Sequence, residues 1–112
     1  MNVRIRESGE IKIIDFSGRL DTVTSPSAEV AVTGILEAGH NKILINLADT
    51  EWVSSSGLRV LLLTAKKLAV THGRLKICQP NPVVNEILEI SGFSTILNVC
   101  ATEEEALAGL QL

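Results

Sequence analysis

Short aliphatic runs alternate along this chain with segments whose apolar residues recur at helical spacing, and that alternation leaves few folds open. "KILINL" (residues 42–47) is too short for a helix and rich in β-branched residues, so it reads as a buried strand. "RLKIC" (74–78) and "TILNVC" (95–100) read as two more. Helical patterns separate them. Ser25 before Pro26 opens the first: the serine caps, and proline at the first helical position loses no needed donor. Ala28, Ala31, Val32, Ile35 and Leu36 then share one face, and Gly39 supplies the stop. A second helix is expected from about Ser56 to His72. Its stripe is Leu58, Leu61, Leu62, Ala65, Leu68 and Ala69; Arg59, Lys66 and Lys67 lie off it, and Gly73 ends it. Pro80 and Pro82 bracket a loop, and Val83 to Ile90 forms a short helix stopped by Ser91-Gly92. Thr102 with Glu105 makes a capping box ahead of Ala106, Leu107 and Leu110.

Two strands precede all of this. Val3 and Ile5 alternate with Asn2, Arg4 and Arg6, a second run "IKIIDF" starts at Ile11, and Ser8-Gly9 between them predicts a hairpin. Gly18 closes the second run. The order is ββαβαβαβα. It predicts one α/β domain over residues 1–112, with about four helices and a mixed, mostly parallel sheet of five strands. The first strand is antiparallel through its hairpin. A length of 112 residues suits one domain, and 46% hydrophobic content is enough to bury a core.

Charge and composition remove several function classes. A net charge of −3 without a basic cluster argues against nucleic acid as a partner. Phe16, Trp52 and Phe93 are the whole aromatic set, too few for a surface that stacks bases. Cys78 and Cys100 make neither a zinc site nor a disulfide scaffold and read as buried, reduced thiols. No metal and no cofactor are expected. "MNVRIRESGE" lacks an apolar signal region, and no apolar run is long enough to span a bilayer. A cytoplasmic location without direct membrane insertion is therefore expected.

The unusual stretch is "EWVSSSGLRVLLL" (51–63), where Ser54, Ser55 and Ser56 stand at the expected start of the second helix. No serine has the G-x-S-x-G frame of a hydrolase elbow, and His40 and His72 follow helix ends, where a dipole or capping role is usual. No catalytic residue is expected. "SSSGL" is not a Walker loop either, having one glycine and no following lysine. Yet free N–H groups and the positive end of a helix dipole would face any phosphate bound or attached there. A cap accounts for one serine, worth about 1 kcal/mol, but not for three beside a tryptophan. On the residues alone, cap and functional site both stay open. The same is true of Asp21, between a strand end and a Thr-Ser cluster, where aspartate is ordinary turn chemistry. Trp52 is expected in the loop, partly exposed, as exposed aromatics at partner surfaces often are.

Three features together resemble the STAS domain family of anti-sigma factor antagonists and sulfate-transporter tails. "FSGRLD" (Phe16 to Asp21) resembles the family's G-x-L/I-D stretch after the second strand. "WVSSSGLRVLL" resembles its aromatic-apolar-D-S-S/T-G-L segment, and the element order matches from end to end. By position, Ser56 stands where the family places its phosphoacceptor, Ser55 is its neighbour, and Asp21 matches the nearby acidic residue. Ser54 departs from the pattern, since the family usually has Asp there. The resemblance implies a non-enzymatic switch. Its unphosphorylated form binds an anti-sigma factor serine kinase, which carries the ATP; phosphorylation of Ser56 ends the binding, and a phosphatase restores it. The implied binding face is Asp21, Trp52, Ser54, Ser55, Ser56, Gly57 and Arg59, with a weak homodimer allowed for. The alternative from another class is an unphosphorylated STAS subunit of a membrane transporter complex, docking the same face on an ATPase.

Overall fold

A computed structural model describes residues 1–112. Its elements are β1 (Asn2–Ser8), β2 (Ile11–Leu20), α1 (Ser25–Glu37), β3 (Lys42–Asn46), β4 (Thr50–Val53), α2 (Ser55–Val70), β5 (Arg74–Cys78), α3 (Pro82–Ile90), β6 (Val99–Cys100) and α4 (Glu103–Gln111). The main path of the sheet is β1-β2-β3-β5-β6, with β4 joined to β2. β1 pairs antiparallel with β2, from Asn2 opposite Ser17 to Ser8 opposite Ile11, across a turn at Gly9 and Glu10. Every other pairing is parallel. The expected α/β class, hairpin and four helices are all present.

The sheet has six strands rather than five. The added strand is β4, in the segment expected to be a loop. β2 is long enough to be shared: its residues 12–15 pair with β3, and Gly18 to Leu20 pair with β4 after a register shift at Gly18/Arg19. The hydroxyl of Thr50, a buried polar residue, donates to the Phe16 carbonyl at 2.7 Å and pins the start of β4. The last strand is shorter than "TILNVC". Asn98 takes a left-handed φ of 51°, which interrupts the run, so only Val99 and Cys100 pair with β5. Cys100 on that short edge is half-buried rather than buried. Cys78 is fully enclosed, and burial pushes its thiol up to about 12, leaving it protonated at neutral pH.

Alternation along the strands feeds two cores. Ile14, Phe16, Ile43, Ile45 and Ile77 face α1, α2 and α3; Ile11, Ile13, Leu44 and Cys78 face Ala106 and Leu110 of α4. On the α4 side, Arg6 makes a bidentate pair with Asp15, both bonds 2.7 Å, and also binds Glu103. Asn46 donates to Glu103 at 3.0 Å. Arg6 and the Asn46 amide hold the Glu103 carboxyl below its ordinary range, so α4 is tied to the sheet by charge as well as by apolar contact.

Two helix details differ from expectation. The buried arc of α2 is Gly57, Val60, Leu61, Thr64 and Leu68; Leu58, Leu62 and Ala65 are half-buried and Ala69 is exposed. The arc is rotated because α2 packs on α1 as well as on the sheet. Thr64 enters it with its hydroxyl satisfied, donating to the Val60 carbonyl at 2.8 Å. The chain leaves α2 through His72 at φ 57°, not through Gly73. Gly73 is needed for closeness: a Cβ there would sit 2.7 Å from the Asn41 carbonyl oxygen.

Candidate functional site

The end of β2, the end of β4 and the start of α2 meet at the serines. Ser54 is the N-cap, with extended backbone (φ −84°, ψ 177°), and its hydroxyl accepts from the Gly57 amide at 3.3 Å. Its own amide donates to the Leu20 carbonyl at 2.9 Å, which fastens the helix start to β2. The capping role therefore falls to Ser54. Ser55 and Ser56 open the helix, where geometry gives an amide no acceptor four residues back. The first turn of α2 has no acidic residue of its own to offset the positive end of its dipole.

Gly57 explains how the helix start gets so close to the sheet. A Cβ there would lie 2.5 Å from the Leu20 carbonyl oxygen and 2.9 Å from its Cγ. Gly57→Ala is expected to destabilise the fold by about 1–3 kcal/mol, since the backbone of β2 has to move. At Gly34 of α1 a Cβ would meet nothing within 4 Å, so Gly34→Ala should stabilise by about 0.5–1 kcal/mol. Urea melts of the two variants check this; equal effects would mean that the close approach at Gly57 does not constrain the chain.

Ser56 is half-buried and Ser55 exposed. The Ser56 hydroxyl lies 3.2 Å from the Thr22 hydroxyl, in the loop after β2. Nothing in the local sequence pointed to Thr22, which stands 34 positions before Ser56 and meets it only because β2 and α2 converge. Asp21 faces its own loop: its carboxylate accepts from the amides of Val23 at 3.0 Å and Thr24 at 3.2 Å. Thr24 takes the cap position of α1 in place of Ser25, whose hydroxyl donates to the Asp21 carbonyl at 2.5 Å. The Thr24 amide first, then that of Val23, the Thr24 hydroxyl and Arg19, holds the Asp21 carboxyl below its ordinary range, so it is an anion at neutral pH.

Trp52 is exposed, as expected, but on β4. Arg19, its register partner on β2, lies over the indole at 5.9 Å and pairs with Asp21 at 3.6 Å. Trp52, Arg19 and Asp21 thus form one connected strip. Arg59 is exposed, one turn along α2 from Ser56. Neither histidine is placed to serve Ser56 as a base: His72 stands past the far end of α2, about 24 Å away by helix rise, and His40 borders the β1–β2 turn with Gly9 and Glu10, at the other end of β2.

This arrangement of strands, with a capped helix start after β4, has counterparts. A family model described as STAS domain matches residues 2–106. The chain belongs to the STAS domain family. Among its STAS relatives, BtrV of Bordetella bronchiseptica, provisionally named an anti-sigma factor antagonist, is 33% identical over 94 residues, covering 84% of this chain and 81% of that one. In structure it is similar to TM1081 of Thermotoga maritima, also provisionally named an anti-sigma factor antagonist: TM-score 0.94 at 22% identity, covering 98% and 95% of the two chains. The Bacillus cell fate determinant SpoIIAA in its phosphorylated form superimposes with a TM-score of 0.76 at 22% identity, covering 97% and 99%. At such identities these likenesses speak to the STAS fold alone. No helix of this STAS domain is long and apolar enough to cross a membrane.

Proposed function

We propose that this STAS domain is an anti-sigma factor antagonist. In the unphosphorylated form it binds an anti-sigma factor serine kinase, and phosphorylation of Ser56 ends that binding; a phosphatase resets it. The names of the relatives support the general role. The observation that carries the switch is the position of Ser56, a hydroxyl in the first turn of α2 that is free of the capping duty Ser54 performs. Its one side-chain partner is a loop hydroxyl, which can turn away. Transfer moves the γ-phosphoryl of ATP to Oγ, releases ADP and frees the hydroxyl proton. The product phosphate then stands beside free amides at the positive end of α2. Asp21, Trp52, Ser54, Ser55, Ser56 and Arg59 form the binding face; Gly57, expected there from the resemblance, is buried against Leu20 and acts by setting the helix start close to β2.

The test is labelling. Incubation with an anti-sigma factor serine kinase and ATP should add one phosphate, located at Ser56 by mass spectrometry. Ser56→Ala should abolish it and Ser54→Ala should not. Phosphate on Ser54, or none from a kinase that demonstrably binds, would overturn the assignment. Ser54→Asp restores the carboxylate the family usually carries there; faster transfer to that variant would show what the serine leaves out.

A further inference from the structure

Beside the serines, the outer face of α2 forms a groove of about 280 Å³ with the turn that follows α3. Leu58, Leu62, Leu63 and Phe93 supply its apolar walls, all half-buried, with Ser55 at one end. Arg59 and Lys66 stand along it, exposed. Their spacing of seven residues puts them on one side of the helix, about 10 Å apart.

The charge of this face is out of keeping with the rest of the chain. The protein carries −3 overall, yet α2 holds Arg59, Lys66 and Lys67 and not one acidic residue. The ion pairs of the fold involve Arg4, Arg6, Lys12, Arg19 and Lys42, so Arg59 and Lys66 are left without an internal carboxylate. A helix that aligns two unpaired cations beside an apolar trough is complementary to a segment with apolar side chains flanked by carboxylates.

We propose that this groove docks an acidic amphipathic helix of the partner protein. The inference rests on the function proposed above and adds the partner's chemistry. From Ser55 to Lys66 the face runs about 16 Å, room for roughly three turns of helix. It also ties the switch to the groove. Phosphate on Ser56 brings about −1.5 to −2 charges within one helical turn of Arg59. Arg59 then has an internal counter-ion, and the partner's carboxylates meet a like charge at the mouth of the groove. An acidic partner segment is the kind such a phosphate repels.

Lys66→Glu and Lys67→Glu make the test, because they change the net charge equally while Lys67 lies off the groove and reaches instead for Thr33 on α1. Both sites are exposed, so both variants should fold. With the full chain and an anti-sigma factor serine kinase, Lys66→Glu should raise Kd about 5- to 10-fold and Lys67→Glu less than about 2-fold. The gap should narrow as salt is raised from about 50 to about 500 mM, as screening requires. Equal losses in the two variants would reduce the effect to net charge and overturn the groove. So would a Lys66→Glu variant that binds normally in a complex that Ser56→Asp weakens, which leaves the function standing. A complex sensitive to Lys66→Glu and indifferent to Ser56→Asp keeps the groove and removes the switch. No complex at all removes both. Co-sedimentation with phosphatidylserine vesicles that Lys66→Glu abolishes, with kinase binding unchanged, would assign the face to a membrane instead.

Discussion

Leu61→Ala is expected to lower the unfolding free energy by about 2–5 kcal/mol, whereas Leu62→Ala, one residue along the same helix, should cost about 1 kcal/mol. Leu61 has no exposed surface and is enclosed by the main core, so its loss leaves a cavity that the packed residues around it cannot fill. Leu62 leans on that core from outside and lines the open groove, where water replaces what is removed. For a chain of this size each kcal/mol moves the melting temperature by roughly 4 °C or more, so two thermal melts separate the variants easily. Comparable losses would mean that the groove side of α2 is packed as tightly as the sheet side.

The contrast shows where sequence reasoning reached its limit. Spacing alone gave a helix with Leu58, Leu61 and Leu62 on one face, and the helix is there. The phase of its buried arc is set by α1, a neighbour that periodicity does not register. Thr64 lies inside because its hydroxyl is satisfied by the turn below, which no hydropathy scale credits. The missing strand has a similar cause. "TEWV" is four residues long with a charge in it, and it becomes a strand only because β2 extends past β3 and offers its backbone. Local chemistry was legible: the hairpin, the proline at the start of α1, and the cap at Thr102, whose hydroxyl accepts from the Glu105 amide. The capping of α2 was legible only as a choice among three serines, and the structure assigns it to Ser54. Asp21, open between turn and site, is shown making the turn. Its place in the binding face stays part of the proposed function, supported by the strip it forms with Arg19 and Trp52.

Phosphorylation at Ser56 is expected to weaken binding of the serine kinase partner at least about 10-fold, a change of about 1.4 kcal/mol, without unfolding the domain. The two halves follow from one location. In the first turn of α2 the phosphate meets free amides and a positive helix end that carries no acidic residue of its own, both of which favour the folded state. The melting temperature should therefore hold or rise. Thr22 loses its hydroxyl contact, but that contact is exposed and contributes little. The affinity must then fall at the interface, where a doubly charged group has to be desolvated against the partner and its bulk separates the surfaces. Ser56→Ala keeps the surface small and neutral and should bind nearly as the parent does, while Ser56→Asp should follow the phosphoprotein in part, lacking its second charge. Calorimetric titration and a thermal melt of the same samples measure both halves. A phosphoprotein that melts well below its parent would defeat the helix-terminus argument, because the loss of binding would then come from a damaged fold. One that keeps both its stability and its affinity would leave Ser56 without a switching role.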